Sequence, residues 1–184
     1  ANFFQCFTKQ IFHGILSVST RESAFIFMEK TNVMRLLEAK KIPYTGFAYP
    51  PEITDGQQVA AALGEDVRAV FKTLVTVSDK GKYFVFCVPV CATLDLKAAA
   101  KAAGAKSVAM IRQRELEPLT GYVHGGCSPI GMKKRFPTFI DESAEGQEAI
   151  YVSAGRLGHQ VRLSPADLAA FVGARFAPVA QAEE

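Results

Sequence analysis

The sequence predicts an α+β fold: a mixed, largely antiparallel sheet or barrel with helices packed outside it. Three observations carry that prediction. The β-rich runs in "VFKTLVTVSDKGKYFVFCVPV" flank Ser78-Asp79-Lys80-Gly81, a strong hairpin signal. Hairpins outnumber clean strand–helix–strand units, which argues against a doubly wound parallel sheet. Four helical segments carrying cap or stop residues are interspersed among the strands.

Taken in order, Thr31 caps a first helix whose Val33, Leu36 and Leu37 form an apolar stripe ending before Pro43. Residues 44–49 are extended. A short second helix runs from Asp55 to Leu63, with Gly64 as its stop. After the hairpin, "DLKAAAKAAGAKSVAMI" is an alanine-rich helix stopped at Gly104 and followed by a strand. "AIYVSAG" and "HQVRLS" are two further strands. "SPADLAAFVGARF" closes the chain as a helix, with Ser164 at the N-cap, Pro165 in the first turn and Asp167 completing a capping box.

The 184 residues, 49% hydrophobic and 21% charged, suit one compact domain with a sizeable core. Residues 28–184 are expected to form that domain. Residues 1–27, with six of the fourteen phenylalanines, differ in texture and read as an N-terminal extension of doubtful origin. A net charge of +3 permits an anionic partner without demanding one. Cys6, Cys87, Cys91 and Cys127 contain no C-x-x-C pair, so no metal site is expected and free thiols in a reducing cytoplasm are the plain reading. No run of about 20 apolar residues is present that could span a membrane.

The chemistry concentrates in "YVHGGCSPIGMKKRFPTFID". Gly126 and Gly131 have P-loop separation, but Met132 stands where the lysine belongs and Pro129 removes a backbone donor. Consecutive glycines can instead turn adjacent N–H groups toward an oxygen bearing negative charge, as an oxyanion hole does, or they serve a tight turn needing positive φ. In "AVFKTLVTV", alternation puts Lys72 beside Leu74 and Thr76, opposite Phe71, Val75 and Val77. It is either a solvated side chain or a cation fixed on a rigid strand and aimed at an oxygen. No G-x-S-x-G elbow surrounds Ser128 or Ser153. Cys127 reads as a loop thiol rather than a nucleophile, and His159 as a strand residue rather than a base. Lys133, Lys134 and Arg135 form a solvated face or, with an anionic partner, phosphate contacts.

In combination, "VFKTLV", "DLKAAAKAAGAKSVAMI", "TGYVHGGCSPIGMKKRFPTFID", "IYVSAGRLG" and "LSPADL" resemble the YbaK family of freestanding aminoacyl-tRNA editing proteins, the Cys-tRNA(Pro) deacylases. The resemblance runs from about residue 30 to 178. It implies a barrel-like sheet as in the editing domain of bacterial prolyl-tRNA synthetases. It further implies hydrolysis of the ester joining a wrong amino acid to tRNA(Pro), in the cytoplasm, without a cofactor, with prolyl-tRNA synthetase as a further partner. Carried over, the essential lysine falls on Lys72 and the glycine and proline of G-x-x-x-P on Gly125 and Pro129. Substrate binding is expected at Tyr49, Gly126, Ser128, Pro129, Ser153 and Gln160. With tRNA as the anionic partner, Lys133, Lys134 and Arg135 are the expected tRNA contacts.

Two positions depart from the family. Ala154 replaces a glycine and is expected to restrict the backbone, and Gln160 stands where an aspartate is common. Gln160 can keep a hydrogen bond but carries no charge. The implied mechanism needs no protein nucleophile, because the thiol of a mischarged cysteine attacks its own ester while the protein holds it and stabilises the oxyanion. The competing readings are a deacylase for another ester, such as Ala-tRNA(Pro), and a weakly catalytic tRNA- or synthetase-binding module.

Overall fold

The computed structural model describes residues 29–182, so the extension expected at 1–27 and Met28 lie outside the described residues. Helix α1 (Asn32–Ala39) starts where Thr31 accepts the Met34 N–H, and it buries Val33, Met34 and Leu37. Strand β1 (Thr45–Ala48) follows. Helix α2 (Gly56–Leu63) is capped by Asp55 and ends at Gly64 in the left-handed conformation, φ 69°. Strands β2 (Phe71–Ser78) and β3 (Tyr83–Pro89) form the expected hairpin, in register from Phe71↔Pro89 to Val77↔Tyr83. The Ser78 hydroxyl closes its turn by accepting the N–H groups of Lys80 and Lys82.

Strand β4 (Ala92–Leu94) leads into helix α3 (Leu96–Ala103), capped by Asp95, then strand β5 (Val108–Met110). Helix α4 (Gln113–Thr120) precedes the glycine-rich loop, and strand β6 (Thr138–Asp141) follows it. A 3-10 turn (Glu142–Ala144) leads to strands β7 (Ile150–Ser153) and β8 (His159–Leu163). Helix α5 (Pro165–Val172) has Ser164 accepting the Asp167 N–H. It does not close the chain, because short strands β9 (Arg175–Ala177) and β10 (Ala180–Ala182) follow it.

The strands assemble as three sheets: β5-β2-β3-β6-β9, β1-β8-β7 and β10-β4. The β3–β6 and β6–β9 pairs are parallel and the rest antiparallel, in keeping with the expected mixed, largely antiparallel α+β class. The sheets do not close into one barrel. Among the described residues an isolated parallel bridge, Val70↔Tyr151, with Tyr151 N–H donating to Ala69 O, ties the start of β2 to β7.

Both faces of the five-stranded sheet are covered. Phe71, Val75, Val85 and Cys87 face the main core with α1 and α5, while Phe84, Phe86 and Val88 face a second cluster against α3. A third cluster, around Tyr49, Val59, Val70, Val90 and Tyr151, fills the end of the sheet beneath the 49–60 segment. Buried Asp141 holds the C-terminal strands: one carboxylate oxygen accepts the N–H groups of Val179 and Ala180, the other that of Ser143. Such charge-assisted bonds are about twice as strong as neutral ones.

Candidate active site

The glycine-rich loop is shaped by its ends. Gly121 terminates α4 at φ 84°, and the buried Tyr122 hydroxyl donates to the Ile130 carbonyl at 2.5 Å, pinching the loop shut. Inside the pinch, Gly126 N–H donates to Val123 O at 3.0 Å and Ile130 N–H to the Ser128 hydroxyl at 3.3 Å. The Gly126 amide is therefore engaged within the turn. Among the described residues, no acceptor takes the N–H groups of Gly125, Cys127 or Ser128. Gly125 sits at φ +80°, and a Cβ there would lie 2.9 Å from Leu157 Cδ2 and 3.3 Å from Thr54 Cγ2. Glycine is required twice over, for the conformation and for the close approach.

Leu157 belongs to the opposing turn between β7 and β8. Gly155 (φ +80°) and Gly158 (φ +76°) bend it, and a Cβ on Gly158 would meet the Tyr49 carbonyl at 2.7 Å. Tyr49 N–H donates to Gly158 O at 2.9 Å, so the start of the 49–55 segment is fastened to this turn. Across the sheet, Ser153 pairs with Gln160, and Gln160 with Phe47, which aligns these positions on one row. The Ser153 hydroxyl accepts Gly155 N–H at 3.2 Å, a role in shaping the turn.

Gln160 is 6% exposed, and its Oε1 has no hydrogen-bond partner among the described residues. An unpaired buried acceptor costs about 1–3 kcal/mol. Tyr49 stands beside it. Burial pushes the Tyr49 phenol above its ordinary value, opposed by the Gln160 side chain and the Gly158 backbone. Ala154, expected to restrict the backbone, does not: among the described residues only Lys41 combines a side chain with positive φ. The Ala154 methyl is wholly buried in the main core instead.

Lys72 is half-buried on β2, and its ammonium donates to the Val90 carbonyl at 3.4 Å. Val90 belongs to the same cluster as Tyr49 and packs where a Cβ on Gly56 would fall. Lys72 thus lies beside Val90 of the cluster that contains Tyr49, Tyr49 beside Gln160, and Gly125 against Leu157 and Thr54. The cation is held on a strand, not waving in solvent.

Two of the thiols, Cys87 and Cys127, are buried, while Cys91 is half-buried. Burial pushes both Cys127 and Cys87 up to about 12, so neither supplies thiolate near neutral pH. His159 Nδ1 lies 3.0 Å from the Leu157 carbonyl, within its own turn. Among the described residues no group of three or more His, Cys, Asp or Glu side chains is placed to hold a metal.

The cationic run divides. Lys133 lays its stem against Gly121 and donates to Glu117 O at 3.4 Å, at the C-terminus of α4, where the helix dipole favours a positive charge. Lys134 and Arg135 point elsewhere, into a groove of about 640 Å³ whose lining also includes Pro129. Sequence reading missed Thr54 and Leu157, which wall the loop from segments remote in the chain.

Residues 50–171 match the aminoacyl-tRNA editing domain family. A protein of Enterococcus faecalis, EbsC, provisionally named a Cys-tRNA(Pro)/Cys-tRNA(Cys) deacylase, is 44% identical over 157 residues, covering 84% of this chain and 96% of its own. A crystal structure described provisionally as a trans-editing enzyme for prolyl-tRNA synthetase superposes with a TM-score of 0.72 at 27% identity, covering 81% of this chain and 94% of that one. The crystal structure of hypothetical protein APE2540 shares the fold, with a TM-score of 0.75 at 23% identity over 81% of this chain and 99% of that one. With the family model spanning most of the chain and a loop that offers backbone donors but no nucleophile, this protein belongs to the aminoacyl-tRNA editing domain family and is a hydrolase of mischarged aminoacyl-tRNA.

Proposed function

We propose that this protein deacylates Cys-tRNA(Pro) by letting the substrate's own thiol act as the nucleophile. One observation carries the reading: the loop offers the unpaired N–H groups of Gly125, Cys127 and Ser128, while its thiol is buried and its hydroxyl is engaged by Ile130. Such a loop can stabilise an oxyanion but cannot attack a carbonyl.

In the step proposed, the cysteinyl sulfur bonds to the ester carbon and the C–O bond to the ribose breaks. The thiol proton ends on the departing ribose oxygen, and water then opens the resulting thiolactone. The oxyanion donors move relative to the sequence expectation: Gly126 has its N–H committed to Val123, so Gly125 acts with Cys127 and Ser128. Each donor of this kind is worth on the order of 3 kcal/mol in the transition state. Lys72 balances the developing charge from its strand, and Tyr49, Ser153 and Gln160 border the amino-acid end. The Gln160 oxygen is a ready acceptor for the substrate α-ammonium. Pro129 fixes the loop where it leaves the site. Such activity belongs in the cytoplasm, downstream of a prolyl-tRNA synthetase that releases mischarged tRNA; binding discriminates one methylene by only about 10- to 200-fold, so editing is needed.

The test is deacylation of Cys-tRNA(Pro) and Ala-tRNA(Pro) by the protein and by Lys72→Ala. The expected result is fast release of cysteine, slow release of alanine, and a loss on the order of 100- to 1,000-fold in the variant. Faster turnover of the alanyl ester overturns substrate assistance, because alanine has no thiol. A tRNA gel shift without release of either amino acid would leave a binding module instead.

A further inference from the structure

The groove that receives Lys134 and Arg135 lies between the end of α1, the segment after Pro129 and helix α5. It is not a continuation of the sealed third cluster, and no residue assigned to the ester chemistry lines it apart from Pro129. We propose that it seats the unpaired 3′ strand of the tRNA immediately before the terminal adenosine. The inference rests on the deacylase reading for the position of that adenosine, and three features support it.

The first is charge. Lys40, Lys134 and Arg135 line the groove against one acid, Asp167. All three cations are exposed, and none has a side-chain ion pair or hydrogen bond among the described residues. Elsewhere on the surface, cations such as Lys30, Arg68 and Arg156 are already paired with carboxylates. Unpaired cations collected at one concavity suit a phosphodiester chain.

The second is the floor. Phe136 and Phe171 reach the groove half-buried, backed by the main core, with Ile42 and Met132 beside them. Aromatic faces beneath a basic rim are the arrangement on which unpaired bases stack, each worth about 1–3 kcal/mol. A paired stem would present only its backbone and leave that floor bare.

The third is continuity. Pro129 and Gly131 line the groove, and Gly125 lies only a few residues earlier in the same loop. A strand leaving an ester held at Gly125 follows the loop and arrives between Lys134 and α5. The cation that sequence reading would have added, Lys133, is turned away to α4.

The experiment measures equilibrium binding of uncharged tRNA(Pro), intact and lacking its three unpaired 3′ nucleotides, over a range of salt. The full chain is compared with the triple variant Lys40→Gln, Lys134→Gln, Arg135→Gln, and with Lys133→Gln as a control. The intact tRNA should bind the triple variant at least 10-fold more weakly. The log–log salt slope should shrink by about 2, at about 0.7 per single-strand phosphate contact. The truncated tRNA should bind both proteins alike, and Lys133→Gln should resemble the parent. Equal affinity and slope for parent and triple variant overturns the proposal, as does a deficit that persists unchanged on truncated tRNA. Lost affinity for prolyl-tRNA synthetase with tRNA binding intact would make the groove a protein-docking face and also overturn it. No ester is present in these measurements, so failure of Cys-tRNA(Pro) hydrolysis is read separately. The triple variant should still deacylate at the parental kcat with a raised KM.

Discussion

The loop from Tyr122 to Phe136 has two unlike sides. Toward β8 it is glycine, backbone amide and buried side chain, with the half-buried cation Lys72 held at Val90 O beyond it. Toward α5 it is exposed lysine and arginine over phenylalanine. The contrast separates two demands of one reaction. Stabilising a charge that exists only in the transition state needs donors fixed in a site that excludes water, where electrostatic effects are strongest. Holding a polyanion needs many exposed charges, each weak, additive and sensitive to salt. Rigidity is concentrated on the first side and charge on the second.

Two glycines test this contrast, and they carry the largest expected effects. Gly125 and Gly131 both have positive φ (+80° and +75°), and a Cβ on either would meet a leucine methyl at 2.9 Å, Leu157 Cδ2 or Leu36 Cδ1. Alanine at either position should cost a similar 1–2 kcal/mol of stability, roughly the left-handed penalty. Activity should separate them. Gly125→Ala displaces an oxyanion donor and should lower kcat by on the order of 100-fold or more. Gly131→Ala should leave kcat within a few-fold and act through KM. Equal losses of kcat would break the division of the loop, and melting curves beside single-turnover rates decide it.

How much of this was legible in the sequence depends on whether local or remote residues set the feature. The β2–β3 hairpin, the Thr31 cap of α1, the glycine stops of α2 and α3 and the Ser164 cap of α5 are written in contiguous residues and fold as read, although among the described residues Asp167 does not accept the Ser164 N–H that would complete a capping box. Helix α4 was missed because "QRELEPLT" is polar and carries Pro118 within it, both signals against a helix. It forms because the Glu115 carboxylate accepts the Arg112 N–H at its start and Gly121 ends it. Strands β9 and β10 follow a glycine stop and exist only through β6, β4 and the Asp141 carboxylate, all distant in sequence. The split of Lys133 from Lys134 and Arg135 depends on where α4 ends, which the run cannot encode. The partnership of Gln160 with Tyr49 likewise needs β1 and β8 to be paired first.

That partnership gives the intermediate effect. Gln160→Leu removes the unpaired acceptor and the group beside the Tyr49 phenol, and should lower kcat/KM by about 10-fold, the value of one modest hydrogen bond. Gln160→Glu asks whether the site tolerates the missing charge. Burial disfavours the carboxylate, so its folded pKa rises above the unfolded value of about 4.3. A raised folded pKa means that stability is retained below the unfolded pKa and lost as pH rises through the folded one. The variant's melting temperature should therefore fall relative to the parent between pH 5 and pH 8. A parallel pair of melting curves would mean that position 160 is wet, and the sealed side of the loop would lose its defining property.

The smallest effect belongs to Ala154. Family resemblance casts it as a loss, a methyl where glycine gave the turn its freedom. The structure places the flexibility at its neighbours: Gly155 and Gly158 take the positive φ angles, while Ala154 keeps an ordinary backbone and donates its N–H to His159 O at 3.0 Å. Its methyl is fully buried against the main core. Restoring glycine should therefore gain no activity and cost about 1 kcal/mol, from the buried methyl and the added freedom of the unfolded chain. The measurement pairs denaturant unfolding of Ala154→Gly with its single-turnover deacylation rate. A faster enzyme would show that the turn between β7 and β8 must move during the reaction. An unchanged rate with a lower midpoint keeps this wall of the site rigid, and leaves Gln160 as the departure with chemical consequence.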